Sequence, residues 1–291
     1  MELLAKHQSP QFVDQYKSKI LNSLEIPPYL FGAFWKALVV KQQHPVVSER
    51  EYLEILTGAG EMNPPPLDFD SEIKRDINRT FPNLKFYQEL NSVGQVQLFN
   101  VLKAYCIYNP KVGYCQGMGF MVGVLLSHMD QVDAFNVLVT LMRPEGDYCM
   151  QGLYKPGLPL LNKYLSELDD MIGQELPRLA NFFASLGIET SMFASHWILT
   201  LFVYILDWQE ARLIFNLFLV FKMGIILKFA LYILHRSEQE LLTMGFEDVL
   251  GKINDMRSVR VADFVKWLKE REGDRSSEAQ DTHSEATVFD D

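Results

Sequence analysis

The residues best suited to chemistry lie in the stretch 73–82, which reads Ile-Lys-Arg-Asp-Ile-Asn-Arg-Thr-Phe-Pro. At about 100° per helical residue, Ile73, Asp76 and Arg79 share one face of a helix. Pro82 cannot continue a helix, so the pattern predicts Arg79 in or near the last turn, where its side chain can extend past the helix end. Asp76, one turn earlier, can hold the guanidinium. Taken alone, this is also the pattern of an ordinary surface ion pair.

A second stretch, 109–118, reads Asn-Pro-Lys-Val-Gly-Tyr-Cys-Gln-Gly-Met. Its first two residues end a helix, because proline cannot donate to the helical ladder. A glycine-containing turn then presents Tyr114 and Gln116 with one residue between them. In extended backbone, residues two apart lie on the same side, so we expect these two side chains to point the same way.

Together the two stretches resemble the signatures of TBC domains, which act as GTPase-activating modules for Rab-type small GTPases. The family patterns I-x-x-D-x-x-R and Y-x-Q are both intact, the first as Ile73, Asp76 and Arg79 and the second as Tyr114 and Gln116. The flanks are similar as well, at Thr80, Pro82, Leu98, Leu102, Ala104, Tyr105, Gly113, Cys115, Gly117 and Met118. The resemblance extends from about Leu24 to about Asn254.

The resemblance implies a protein that stimulates GTP hydrolysis by a Rab-family GTPase without substrate turnover of its own. Arg79 would be an arginine finger for the transferred phosphoryl group, and Gln116 a glutamine finger that orients the attacking water. Asp76 would hold Arg79, and Ile73 would anchor the helix to the core. Tyr114 would position the Gln116 turn and touch the GTPase. No cofactor of its own is expected, because GTP and Mg²⁺ are bound by the partner.

The chain also departs from the family pattern outside the two signatures. Glu25, Phe31 and Phe34 replace a glycine, an arginine and a valine of the opening segment; Leu213-Ile214-Phe215-Asn216 replaces R-I-W-D; and Phe221-Lys222 replaces E-G. An arginine and an aspartate are thus absent together, at Phe31 and Asn216, and we hypothesise that they pair in relatives. These departures leave a second function open: a catalytically inactive scaffold that binds a GTPase or another trafficking partner.

Composition and charge fit a folded protein with a large core. The 291 residues are 48% hydrophobic and carry a net charge of −10. Residues 272–291 hold seven acidic residues against one arginine, so this tail contributes −6 and the rest −4. An acidic chain argues against nucleic acid as a partner. Three irregularly spaced cysteines read as reduced thiols, which predicts a cytoplasmic location. Any recruitment to endomembranes is expected to come through partners.

No segment alternates with period two over more than a few residues, so we predict an all-α fold, a two-lobed TBC-type domain of about a dozen helices or more. The domain organisation follows from composition and pattern. We expect an N-terminal extension with a short helix at 1–23, the TBC-type domain at 24–256, a C-terminal helix at 257–271 and a disordered acidic tail at 272–291.

Capping patterns predict several helix boundaries. Two capping boxes, Ser48 with Glu51 and Ser237 with Glu240, mark helix starts. Ser71 is the predicted N-cap of the motif helix. The clearest amphipathic helix is predicted over 92–108, and an apolar helix over 192–206.

Two apolar segments, 192–206 and 213–234, raise the alternative of membrane spans. The first is shorter than the roughly 20 residues that a span needs. The second contains Asn216, Lys222 and Lys228, and each mid-span lysine costs about 2.5–3.5 kcal/mol. We therefore predict two buried helices and no transmembrane segment.

Other chemistries are disfavoured by their missing patterns. The sequence lacks G-x-x-x-x-G-K-[ST], so the chain is not itself a P-loop GTPase. Its six histidines are scattered without metal-ligand spacing, so no metal site is expected. His196, between Ser195 and Trp197 in an apolar helix, is interpreted as a satisfied core histidine.

Overall fold

The fold is all-helical, as predicted. The computed structural model describes residues 27–40, 47–58 and 69–271, in which helices are joined by turns and no strand occurs. Within these ranges a 3₁₀ turn, Pro28–Leu30, is followed by α1 (Phe31–Val39), α2 (Glu49–Thr57), α3 (Asp70–Ile77), α4 (Val93–Tyr108), α5 (Met118–Leu126), α6 (Gln131–Leu141), α7 (Gln151–Tyr154), α8 (Pro159–Glu175), α9 (Pro177–Leu186), α10 (Ser191–Thr200), α11 (Trp208–Phe221), α12 (Met223–Leu241), α13 (Phe246–Ile253) and α14 (261–271). The predicted extension 1–23 and tail 272–291 lie outside the described residues.

The first group of helices packs around α4, which contacts α2, α3, α5 and α6. The Ser92 side chain caps α4 by accepting a hydrogen bond from the Gln95 backbone N–H. The core-facing positions include Leu98, Val101, Leu102, Ala104, Tyr105 and Cys106. The predicted helix over 92–108 is confirmed, because the cap at its start and the Asn109-Pro110 stop are both local signals.

The second group packs around α12, which contacts α8, α10, α11 and α13. Contacts of α1 with α11, of α5 with α10 and of α7 with α8 join the two groups. The predicted two-lobed arrangement therefore has one central helix in each lobe. The junction between α5 and α10 matters for function, since α5 directly follows the second motif.

Two of the predicted caps are wrong and one is confirmed. Ser48 and Glu51 form the expected capping box at the start of α2. Ser71 lies inside α3, which begins at Asp70 without a side-chain cap. Ser237 and Glu240 lie inside α12, where the apolar face continues to the buried Leu241. A capping box permits a helix start, but tertiary burial decides whether the helix continues through it.

The two apolar segments are divided differently from the prediction. The helix expected over 192–206 ends at Thr200, because Leu201 and Phe202 adopt positive φ angles of 52° and 61°. The segment 213–234 is split at Lys222, whose φ of 65° separates α11 from α12. Throughout the described residues, no helix combines the length and hydropathy needed to cross a bilayer.

The departures at Phe31 and Asn216 are accommodated by one tryptophan. Asn216 is fully buried, and its Oδ1 accepts a 3.0 Å hydrogen bond from the Trp35 indole N–H. The Phe31 ring packs against Trp35 at 5.2 Å between centroids, and the Arg212 guanidinium faces Phe31 at 5.8 Å. These contacts close the interface between α1 and α11 without an ion pair at these two positions. The suggested pairing in relatives stays a hypothesis.

Candidate functional site

Arg79 lies in a tight turn directly after α3. The helix ends at Ile77, and the Arg79 backbone N–H donates to the Asp76 carbonyl at 3.1 Å. The Thr80 N–H continues the turn by donating to the Ile77 carbonyl at 3.0 Å. Ile73 is fully buried and anchors the helix, as expected. The Arg79 side chain thus begins at the end of a helix that is fixed in the core.

Buried groups on the core side of this turn hold it in place. The Thr80 hydroxyl donates to the Asp76 carbonyl at 2.8 Å, and Thr80 is buried. Phe81 has a φ of 53°, which is strained for an aromatic residue. Its ring lies over Gly123 of α5, where a Cβ atom would come within 2.6 Å of the ring. Packing of Phe81 against Phe120 and Trp208 offsets the backbone strain.

Asp76 connects the two motifs through its two carboxylate oxygens. Oδ1 accepts from Arg79 Nε at 3.0 Å and lies 2.8 Å from Nη2, while Oδ2 accepts from the Tyr114 hydroxyl at 2.5 Å. The Asp76 side chain is 12% exposed and that of Arg79 45%. The carboxylate is therefore satisfied within the protein, and the guanidinium keeps its outer part at the surface.

Tyr114 is buried, with 7% exposure, whereas Gln116 is exposed. The expectation that both side chains point the same way is wrong, because the Tyr114 ring enters the core to reach Asp76. Burial and then the bond to Asp76 raise the pKa of Tyr114 well above its usual range, so the hydroxyl remains a donor. Tyr114 therefore lies in the core behind Asp76 and not on an exposed face, and it positions the Asp76–Arg79 pair from within.

The loop that carries Gln116 is shaped by its glycines. Gly113 has a φ of 65° and lies so close to Phe69 that a Cβ would be 2.4 Å from that ring. Gly117, the residue before α5, has a φ of 105°, which residues with a side chain rarely adopt. Between these two points the Gln116 amide emerges at the surface, and it has no hydrogen-bond partner among the described residues.

The second lobe supplies a wall of the site that the motif patterns did not indicate. The Leu199 carbonyl oxygen lies 3.5 Å from the place where a Cβ on Gly117 would sit, so the end of α10 is adjacent to the Gln116 loop. One turn earlier, His196 packs against Tyr204 with ring centroids 4.4 Å apart. Burial and the charge of Arg79 lower the pKa of His196. Tyr204 also packs on Phe120, whose ring contacts Phe81 just after Arg79, so the second lobe reaches the turn that carries Arg79.

The interpretation of His196 as a satisfied core histidine is wrong. The residue is only partly buried, and within the described part of the chain its Nε2 has no hydrogen-bond partner. An apolar helix gives no local signal for this state. The histidine comes near the turn of Arg79 because α10 packs against α5, which is a contact between the two lobes.

The side chains of this site can act through hydrogen bonds and charge, and its cysteine is not suited to nucleophilic attack. Burial raises the pKa of the Cys115 thiol, and the carboxylates of Asp76 and Glu72 raise it further. A thiol in that state is a poor nucleophile. A half-exposed guanidinium, linked through Asp76 and Tyr114 to the loop with an exposed amide, is instead suited to binding anionic phosphoryl oxygens and orienting water.

Comparison with known proteins gives a consistent family. A protein from Homo sapiens, the ecotropic viral integration site 5 protein homolog, is 36% identical over 225 residues, which cover 77% of this chain and 26% of the relative. The Rab GTPase-activating protein eat-17 from Caenorhabditis elegans is 40% identical over 182 residues, which cover 62% of this chain and 20% of the relative. The chain thus spans about a quarter or less of the length of these curated relatives.

Solved structures agree with the sequence relatives. The crystal structure of the Chlamydomonas flagellar RabGAP TBC domain superposes with a TM-score of 0.72 at 25% identity, covering 87% of this chain and 82% of that domain. The family model described as the Rab-GTPase-TBC domain matches residues 29–242, a range that contains both motifs and the α10 wall. Because this match covers most of the chain, the protein belongs to the Rab-GTPase-TBC domain family.

Proposed function

We propose that this chain is a GTPase-activating protein for a Rab-family small GTPase, to which it supplies Arg79 and Gln116 in trans. One observation carries the proposal. The half-exposed Arg79 guanidinium is held by the nearly buried Asp76 carboxylate, and the same carboxylate is bonded to the loop that exposes Gln116. Both side chains stand at the positions of the family patterns, and a relative is named as a Rab GTPase-activating protein.

The chemistry follows from the transition state of GTP hydrolysis. Negative charge spreads over the oxygens of the transferred phosphoryl group, and a water molecule must attack in line. Arg79 places a permanent, planar cation against those oxygens. The Gln116 amide can accept from the attacking water and donate to a phosphoryl oxygen, so it orients the nucleophile. Arginine fingers accelerate hydrolysis by about 10³–10⁵.

Asp76 and Tyr114 act before the GTPase arrives. An unrestrained arginine loses side-chain entropy when it enters a transition state, whereas Arg79 is already bonded through Nε and Nη2. Both bonds go to the same oxygen of Asp76, on one edge of the guanidinium. The remaining N–H donors point away from that edge and are available to phosphate. The chain brings no cofactor, since GTP and Mg²⁺ belong to the GTPase in this mechanism.

The proposal is tested with a panel of purified Rab GTPases loaded with GTP. Phosphate release is measured for each Rab alone and with the wild-type chain, Arg79→Ala, Gln116→Ala and Arg178→Ala. Arg178 is an exposed arginine of α9 outside the two motifs and serves as the matched control. We expect acceleration by the wild type and by the control on at least one Rab, and severe loss in the other two variants with unchanged circular dichroism.

Two results would contradict the proposal in different ways. Acceleration that survives in both Arg79→Ala and Gln116→Ala would remove these residues from the mechanism. Binding to a GTP-loaded Rab without any acceleration by the wild type would identify a scaffold. The two single losses are expected to be far from additive, because both side chains serve one transition state.

A further inference from the structure

His196 has a buried ring nitrogen without a hydrogen-bond partner among the described residues, near the turn that carries Arg79. Its Nε2 is shielded from solvent and has no partner in the described residues. Buried polar groups are almost always hydrogen-bonded, so an exception in a native fold calls for an explanation. His196 lies on α10, in the wall that the second lobe contributes to the site.

The side chains around His196 indicate which group could form a hydrogen bond with its Nε2. Tyr204, which is 50% exposed, packs on the imidazole ring with centroids 4.4 Å apart and planes tilted by 50°. Tyr204 in turn packs on Phe120 at 5.0 Å between ring centroids, and Phe120 packs on Phe81 at 5.8 Å, which places the histidine near the turn that carries Arg79. Ser195, its neighbour on α10, is already bonded to the Ser191 carbonyl. Arg79, on that turn, carries N–H donors that a neutral imidazole nitrogen can accept.

Arg79 has hydrogen-bond donors to spare. A guanidinium carries five N–H groups, and the contacts to Asp76 engage Nε and Nη2 only. A neutral imidazole has one nitrogen that accepts, and it matches such a donor. The acceptor and the donor come from different lobes, so their approach depends on the packing of α10 against α5.

We propose that His196 is a positioning residue for Arg79: its Nε2 accepts a hydrogen bond from the guanidinium when Arg79 extends towards the docked GTPase. Asp76 and His196 then hold the finger from two sides, one from each lobe. This inference rests on the proposed function and deepens it, because it assigns the second lobe a part in aligning the finger. In the unbound protein the guanidinium of Arg79 is hydrogen-bonded to Asp76, and Nε2 of His196 has no partner among the described residues.

Protonation of His196 would abolish this role. Burial and then the charge of Arg79 lower the pKa of His196 below its ordinary value of about 6.5, so the neutral acceptor is the form present at neutral pH. On acidification through the lowered pKa the imidazole gains a proton and loses its acceptor. It then places a second cation beside Arg79. The acceleration of GTP hydrolysis should therefore fall on the acid side.

The first test measures stimulated over intrinsic phosphate release between pH 5.5 and 8 for a Rab that the wild type activates. His196→Leu removes the acceptor, and we expect a loss of about tenfold or more, as for a hydrogen bond to a charged group. His196→Gln offers an amide near the same place that does not titrate, so it should keep most of the activity and show a flatter acid limb. His235→Leu, an exposed histidine against Trp267, is the control and should match the wild type.

Two outcomes would overturn the inference: full activity in His196→Leu, or an acid limb in His196→Gln identical to that of the wild type. Failure of the wild type on every Rab would instead count against the proposed function. A partner-free measurement separates the two cases. NMR titration should show a higher pKa for His196 in Arg79→Ala than in the wild type, and an unchanged pKa would refute the coupling of these two residues.

Discussion

The Tyr114 hydroxyl donates a 2.5 Å hydrogen bond to Oδ2 of Asp76, the carboxylate oxygen that Arg79 leaves unoccupied. This contact joins residues 38 apart in the sequence and makes the two motifs one unit. The buried tyrosine orients the carboxylate, the carboxylate orients the guanidinium, and the loop after the tyrosine presents Gln116.

Tyr114→Phe should weaken both stability and activation. The variant leaves one oxygen of the nearly buried Asp76 without a donor, which costs about 1–3 kcal/mol in the free energy of unfolding. The acceleration of GTP hydrolysis should fall by about tenfold, because Arg79 loses its fixed anchor. Tyr148→Phe is the matched control, since Tyr148 is also buried and donates to the Leu219 carbonyl at 2.7 Å, in the second lobe. Equal losses of activation in the two variants would refute a special role for Tyr114.

Gly123→Ala should disturb the turn that carries Arg79. The new Cβ would meet the Phe81 ring at 2.6 Å, and that ring is confined by Tyr87, Phe120 and Trp208. We expect a loss of about 1–3 kcal/mol in urea unfolding, as in overpacked cores, together with reduced activation. The control is Gly173→Ala in α8, where a Cβ meets no atom within 4 Å. It should gain up to about 1 kcal/mol from helix propensity, and a loss there of the same size would contradict the steric explanation.

A double-mutant cycle tests whether positions 31 and 216 are coupled. Asn216→Asp places a charge in a fully buried site whose Oδ1 is bonded to the Trp35 indole, and should cost several kcal/mol. Phe31→Arg should also destabilise, because Arg212 already faces that ring. If the two positions can form an ion pair, the double variant should recover about 1–3 kcal/mol in denaturant unfolding. Additive losses would reject the paired exchange.

The nucleotide state of the GTPase should control affinity. A complex of GDP with aluminium fluoride imitates the phosphoryl group in transfer, which is where Arg79 gains its interaction energy. We expect much tighter binding to the cognate Rab with GDP and aluminium fluoride than with GDP alone, measured by calorimetry. Arg79→Ala should lose most of this difference. Equal affinity of the wild type for both states would indicate a binding module without a catalytic contribution.

Stability should fall at alkaline pH because buried tyrosines resist ionisation. Burial raises the pKa of Tyr52, Tyr87 and Tyr105 in the folded protein, whereas the unfolded chain ionises them near pH 10. Above that pH the folded state binds more protons than the unfolded state, so the free energy of unfolding decreases as pH rises. Urea unfolding at pH 8, 9.5 and 10.5 measures the decline. Constant stability across this range would contradict the burial of these hydroxyls.

Local signals in the sequence determined the features that depend on neighbouring residues. The bounds of α4 follow from Ser92 at its start and Asn109-Pro110 at its end. The spacing of Ile73, Asp76 and Arg79 places the ion pair correctly, since residues three apart on a helix face one another. The two motifs and their order also sufficed to indicate the family. These properties need no knowledge of where the rest of the chain lies.

Only the tertiary structure decided the direction of Tyr114 and the state of His196. Ser237 with Glu240 has the same pattern as Ser48 with Glu51, yet only the second pair starts a helix. Tyr114 turns inward because Asp76, far away in the sequence, supplies an acceptor in the core. His196 comes near the turn of Arg79 because α10 packs against α5. Burial and long-range contacts carry energies larger than local propensities, so the contacts between distant segments determine how the finger is held.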